Sequence, residues 1–277
     1  MSKAYERLLR SLECIREKTD FKPLTGIILG SGLGEYGDRI RQVAVVDYHE
    51  IEGFPVSTVA GHQGRFIFGY IGEVPVVAMQ GRVHYYEGYT MEDVVMPVRI
   101  MKLLGIQYLI LTNAAGGVDP AFTAGDLMMI TDQIASFVPS PLIGENIDEL
   151  GTRFPDMTHI YDQELCKMMR ESAAELGINL QEGTYIQFSG PNYESPAEVR
   201  LAALLGAGAV GMSTACEAIA ANHAGLKICG ISLITNMGTG ISATPLSHAE
   251  VQAAGVAAAP KMQALVTAMI EKTGKIG

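Results

Sequence analysis

Tyr108-Leu109-Ile110-Leu111-Thr112 is apolar at every position but the last. A strand with one wet face alternates in polarity. A strand without that alternation is buried on both faces, and such strands belong to sheets covered by helices on two sides. Leu226–Thr235 reads as a long central strand, and Ile27-Ile28-Leu29 as a shorter buried one. All three run into small or polar residues: Asn113-Ala114-Ala115-Gly116-Gly117, then Asn236, and Gly30-Ser31-Gly32-Leu33-Gly34. Ligands of open α/β sheets collect beyond strand carboxyl ends, so these three endings are where a site should form.

The remaining pattern supplies the rest of such a fold. Val43–Val46, Arg65–Ile71 and Val74–Met79 read as strands, with a hairpin at Ile71-Gly72-Glu73-Val74, and Leu127–Ile134 and the short Ala209–Gly211 add two more. The hairpin among long buried strands makes the sheet mixed. Helices are marked by their ends: an amphipathic Met1–Arg16, a Thr90 cap with a run to Leu104 before Gly105, and Asp162–Leu176 before Gly177. Ser195-Pro196-x-Glu198, Thr214-x-x-Glu217 and Ser247-x-x-Glu250 are capping boxes, the last opening an alanine-rich helix with Pro260 as a kink. Ser136–Met157 has no regular pattern, and a stretch of that length in a compact fold is a lid or a contact. The expected architecture is α/β, one domain over 1–277, with a central mixed, twisted sheet flanked by helices.

Composition narrows the function. Charged residues are 18% of the chain and hydrophobic ones 48%, with mean hydropathy +0.20, so subunits should bury surface against one another. The net charge of −10 argues against nucleic acid, which needs basic surface. Four cysteines without a C-x-x-C pair suggest neither zinc nor a disulfide framework and fit a reducing compartment. With no signal peptide and no apolar run of membrane-spanning length, a cytoplasmic protein is expected.

Several residues then carry chemistry. Gly30-x-Gly32 lacks the third glycine of a dinucleotide fingerprint, since Glu35 stands there, so Ser31 and its neighbouring N–H groups suit a free phosphate better than a pyrophosphate. His62 lies among glycines in Ala60–Gly64. In an extended Gly81–Gly88, Arg82, His84 and Tyr86 would share one side, the arginine giving a planar fork for an anion and the histidine a donor in either charge state. The backbone at Ala114 is open to a ligand. Ser213 precedes a helix N-terminus, where an anion is favoured. Glu194 stands in the connection before another helix, and Asn236 can donate and accept at once. Phe154 is an apolar residue in a polar loop, and His248 begins the last helix.

Together these segments resemble the low-molecular-mass, trimeric purine nucleoside phosphorylases. The matching stretches are Gly30–Gly34, Gly61-His62, Gly81–Gly88, Thr112–Gly117, Gly190–Ser195, Met212-Ser213-Thr214, Thr235-Asn236 and His248, in the family's order. The resemblance implies a phosphate site from Ser31, His62, Arg82, His84, the Ala114 backbone and Ser213. It implies a base site from Glu194 and Asn236 with Tyr193 stacking, and a ribose site lined by Tyr86, Met212 and His248. Phe154 would reach into a neighbouring subunit's site. Vertebrate members commonly have phenylalanine where this chain has Tyr193 and lysine where it has Met237, both at the base pocket.

The implied reaction is reversible phosphorolysis of inosine or guanosine to free purine and ribose 1-phosphate. Inorganic phosphate is then a co-substrate and no cofactor or metal is required. Asn236 at N7 and O6, Glu194 at N1–H and His84 at the phosphate are the residues expected to carry catalysis, through positioning and hydrogen bonds that strengthen with developing charge. A methylthioadenosine phosphorylase would bind a 6-amino purine and prefer an acid at Asn236. A non-catalytic nucleoside-binding protein would not need the phosphate donors, and a nicotinamide dehydrogenase would bind its cofactor without phosphate.

Overall fold

The computed structural model describes residues 2–30, 33–59, 62–241 and 248–276, the side chains of 248–252 excepted. Its elements run α1 (Lys3–Lys18), β1 (Thr25–Leu29), β2 (Arg41–Asp47), β3 (Arg65–Ile71), β4 (Val74–Gln80), α2 (Met91–Leu104), β5 (Tyr108–Gly117), β6 (Leu127–Ile134), α3 (Gln163–Glu175), β7 (Leu180–Gln187), α4 (Pro196–Leu204), β8 (Ala207–Gly211), α5 (Ala215–His223), β9 (Lys227–Met237) and α6 (His248–Thr273).

One mixed sheet joins all nine strands in the order β2-β3-β4-β1-β5-β8-β7-β6-β9. It also closes: β5 pairs with β9 as well as with β8, so the five strands from β5 to β9 form a ring. The length of β5 makes this possible. Its register with β9 slips between Ala115 and Gly116, and its last two residues, Gly116 and Gly117, turn to meet Val210 and Ala209 of β8. A Cβ on Gly117 would lie 2.8 Å from the Met237 sulfur and 3.0 Å from Ile234 Cγ2, so a side chain there would displace the β9 side chains packed against it. β1 lies parallel between β4 and β5, its Ile27 and Ile28 fully buried. Gly30 follows directly, and a Cβ there would sit 2.5 Å from the Thr112 carbonyl oxygen, a backbone atom with nowhere to go. The carboxyl end of β1 is thereby set tight against Thr112 and Asn113 in the middle of β5.

Helix ends fall where capping chemistry places them. Thr90 caps α2 with Gly105 left-handed at its end, Asp162 caps α3, and Ser195 with Glu198 closes a capping box on α4. Thr214 differs. Glu217 accepts from its N–H, but the threonine hydroxyl accepts from Asn113, and the backbone takes φ 80°, an uncommon state for a β-branched residue. Four elements extend or correct the sequence reading. Asn113–Gly117, read from the sequence as the ligand-facing segment beyond the end of this strand, continues β5 as strand because β9 pairs with it through Met237; β9 itself runs past Thr235 for the same reason. β7 was unassigned by sequence, its first half carrying no alternation. Residues 253–273 of α6 are long and apolar enough to cross a membrane by length and composition, against the expectation that no such run exists. In the fold, Met262, Leu265, Val266, Met269 and Ile270 of that helix are buried in the core. All four cysteines are free.

Candidate active site

A cleft of about 140 Å³ opens where the carboxyl ends of β4, β5, β8 and β9 converge. β4 leads into Arg82, His84 and Tyr86; β5 contributes Asn113, Ala114, Ala115 and Gly116. The β8–α5 turn brings Val210, Gly211, Met212 and Ser213, β9 brings Thr235 and Asn236, and the connection before α4 brings Tyr193 and Glu194. Nine sequence-predicted residues thus line one cavity: Arg82, His84, Tyr86, Ala114, Tyr193, Glu194, Met212, Ser213 and Asn236. A roomier cleft of about 930 Å³ lies between the first turns of α1 and α2 and residues 139–147. No strand residue lines it, and its Arg7 is already held by Asp93 and the Gly53 carbonyl.

The common side expected for Arg82, His84 and Tyr86 holds, by a different geometry. The chain is extended only as far as His84; Tyr85–Glu87 is a tight turn that swings Tyr86 back onto His84, ring centroids 4.6 Å apart and nearly parallel. His62 stacks on the other neighbour, 5.4 Å from His84. These contacts fix the rings, and the hydrogen bonds fix their tautomers. His84 Nδ1 is 3.0 Å from Glu87 Oε1, and a carboxylate only accepts, so Nδ1 carries the proton. Burial pushes the Glu87 carboxyl up, but hydrogen bonds from His84 and Thr58 outweigh it and bring it down to about 2. His84 therefore offers Nε2 as a donor only when doubly protonated, which corrects the expectation of a donor in either state. His62 Nδ1 gives its proton to the Arg82 carbonyl at 2.9 Å, leaving a buried Nε2 without a partner. Burial pulls this ring down to about 4, so at neutral pH its Nε2 accepts.

Arg82 is corrected in the same way. It is 2% exposed, and much of its fork is used by the protein: Nε donates to Glu217 Oε1 at 2.9 Å and Nη1 to the Thr112 carbonyl at 2.9 Å. Nη2 is left buried with no acceptor. Ser213 is buried beside Thr214, whose hydroxyl is 3.2 Å away. Across these walls the polar character changes. Glu194 is 7% exposed, its Oε1 has no partner, and burial raises its pKa above the usual carboxylate range. Asn236 is held at both ends of its amide, Oδ1 accepting from Thr235 at 2.9 Å and Nδ2 donating to the Met237 carbonyl at 3.1 Å. One lone pair and one N–H remain for a ligand. The cleft can thus hold an anion on donors and a flat polar heterocycle between an acceptor and an amide.

Not every predicted residue is at the cleft. Phe154 is 87% exposed and lies outside it. Ser31 falls outside the described residues, and His248 is the first residue of α6. Sequence reasoning missed Asn113, Thr214, Glu87 and the inward role of Glu217, which local capping had already explained. Among the described residues no cluster of three or more His, Cys, Asp or Glu side chains could hold a metal ion.

Comparison with known proteins identifies the architecture. Residues 25–271 match the family described as Phosphorylase superfamily. The chain is 50% identical over 246 residues to purine nucleoside phosphorylase 1 of Bacillus subtilis, covering 89% of this chain and 91% of that protein. It is 44% identical over 274 residues to purine nucleoside phosphorylase of Rattus norvegicus, covering 96% and 95%. The Schistosoma mansoni purine nucleoside phosphorylase, solved with inosine, superposes with a TM-score of 0.91 at 36% identity, covering 96% of each chain; its complex with adenosine gives 0.91 at 37%, covering 96% of this chain and 97% of that one. The family match over residues 25–271, these identities and the superposed fold place the chain in the phosphorylase superfamily, among the purine nucleoside phosphorylases.

Proposed function

We propose that the cleft catalyses reversible phosphorolysis of inosine and guanosine, with inorganic phosphate as co-substrate, no cofactor, and ribose 1-phosphate and free purine as products. The observation that carries this reading is the set of buried atoms left without partners around one cavity: Arg82 Nη2, Glu194 Oε1 and, behind His84, His62 Nε2. Buried polar groups are normally paired, by protein, water or ligand, so these atoms converging on one cleft are available to a ligand. Arg82, Ser213 and the Ala114 backbone supply phosphate contacts, completed by Ser31, His84 and His62, the last suited to accept from a protonated phosphate oxygen. Glu194 accepts from purine N1–H and Asn236 hydrogen-bonds N7 and O6, with Tyr193 against the base and Tyr86, Met212 and His248 around the ribose. Cleavage loads positive charge on the sugar and negative charge on the base. The phosphate oxyanion attacks the anomeric carbon, and the amide of Asn236, already oriented by Thr235, stabilises the departing purine.

Asn236, an amide where an acid would suit a 6-amino base, argues for 6-oxopurines, and the Schistosoma mansoni relative, solved with adenosine as well as inosine, is consistent with a preference that does not exclude 6-amino bases. We further infer that the whole chain acts as one domain in a soluble, cytoplasmic homotrimer in which Phe154 completes a neighbour's site. Purified protein should release hypoxanthine from inosine only when phosphate is present. Release at the same rate without phosphate would contradict the proposal.

A further inference from the structure

Arg82 is the phosphate ligand of the reading above, and its geometry is dictated by a residue that does not line the cleft. Glu217 lies in the first turn of α5, 135 residues away in sequence, and is 1% exposed. One carboxylate oxygen accepts from Arg82 Nε at 2.9 Å; the other accepts from the Thr214 N–H at 3.0 Å. With the Thr112 carbonyl on Nη1, these contacts pin the guanidinium so that Nη2 alone is unsatisfied. The same carboxylate therefore ties together two walls of the phosphate cradle: the segment after β4 that carries Arg82, and the β8–α5 turn that carries Ser213.

We propose that Glu217 is a positioning residue for phosphate binding, acting through Arg82 and resting on the reading of Arg82 as a phosphate ligand. A buried pair of this kind has a purely structural alternative, since removing one partner strands the other charge and destabilises the fold. The two make different kinetic predictions. Both oxygens of Glu217 face N–H donors, so Glu217→Gln keeps the volume but must turn its amide N–H₂ toward Arg82 Nε or Thr214 N. The structural alternative weakens everything alike, whereas the positioning role falls on phosphate.

The experiment measures KM for phosphate and for inosine in the wild type, Glu217→Gln, Arg82→Ala and the double variant, with melting temperature and oligomer size recorded for each. Glu217→Gln should raise the phosphate KM at least about tenfold while inosine KM stays within about twofold. In the Arg82→Ala background the same change should add nothing further to phosphate KM, because the group it positions is gone. Equal rises in both KM values, or an unchanged phosphate KM, would overturn the proposal, as would a full additive effect in the double variant. If Arg82→Ala leaves phosphate KM unaltered, the assignment of Arg82 as a phosphate ligand falls instead. Should Glu217→Gln fail to fold, Glu217→Asp, which keeps the charge but withdraws it by one methylene, must show the same split between the two KM values; a phosphate KM equal to the wild type's would then overturn the inference.

Discussion

Glu194 is the side chain whose state most directly governs base binding. Its carboxylate is buried and forms no salt bridge among the described residues, and burial raises its pKa, with its own backbone N–H opposing the effect and the nearby Glu198 adding to it. Accepting from purine N1–H is strongest in the ionised form, where the bond is charge-assisted. As pH falls through the raised pKa the free enzyme takes up a proton there and keeps only a weaker, neutral acceptor, so kcat/KM for inosine should fall on the acid side at a pH above the ordinary carboxylate range. A bound base donates to the carboxylate and favours its charge, so the acid limb of kcat should lie lower than that of kcat/KM. Glu194→Gln should lose about ten- to a hundredfold in kcat/KM at neutral pH, as for a hydrogen bond to a charged group, and lose the acid limb. An identical limb in the variant would place that titration elsewhere. At this scale the sequence was most informative where residue type and neighbours suffice: Arg82 and His84 were recognisable from local pattern, whereas Glu194, beside a helix start where an acid also serves the dipole, was singled out only by the family resemblance. Which atoms remain free was not, because Arg82 spends its Nε on a residue 135 positions away and His62 gives its proton to a backbone carbonyl.

At the scale of elements, most starts and stops were legible because they are local chemistry. Thr90 and Ser195 cap the helices they were expected to cap, Asp162, read as the first residue of its helix, is that helix's cap, and the Gly72-Glu73 hairpin joins β3 to β4 in the register its sequence suggests. What local chemistry cannot encode is continuation by pairing. Asn113–Gly117 reads as the segment beyond a strand's end until β9 lies alongside it, and Leu180–Gln187 becomes strand because β6 and β8 supply partners on both sides. The same limit applies to Thr214. Its capping pattern was correct in position, yet its hydroxyl serves Asn113 of β5, and that contact fixes the unusual backbone on which Ser213 is presented. Such strain in a cleft wall is characteristic of sites whose surroundings hold them in one conformation.

For the molecule as a whole, an α/β sheet flanked by helices followed from the buried strands, but the closure of β5 to β9 into a ring did not, since strand order is not a property of any one segment. Association is equally a property of the assembled surface. Phe137, Ile143 and Phe154, exposed at 40%, 75% and 87%, all lie on the irregular stretch between β6 and α3. If Phe154 completes a neighbouring site, Phe154→Ala mixed with Glu194→Gln should regain activity in verified mixed oligomers, through sites that combine the two intact halves; no recovery would show that each subunit works alone. The central claim is that phosphate itself takes the sugar. It is tested most directly by ³¹P NMR of inosine with one equivalent of phosphate and catalytic enzyme. The inorganic phosphate signal should decline as a ribose 1-phosphate signal grows in step with hypoxanthine, and hypoxanthine added to isolated ribose 1-phosphate should return inosine. Hypoxanthine appearing with free ribose, while the phosphate signal stays constant, would contradict the account.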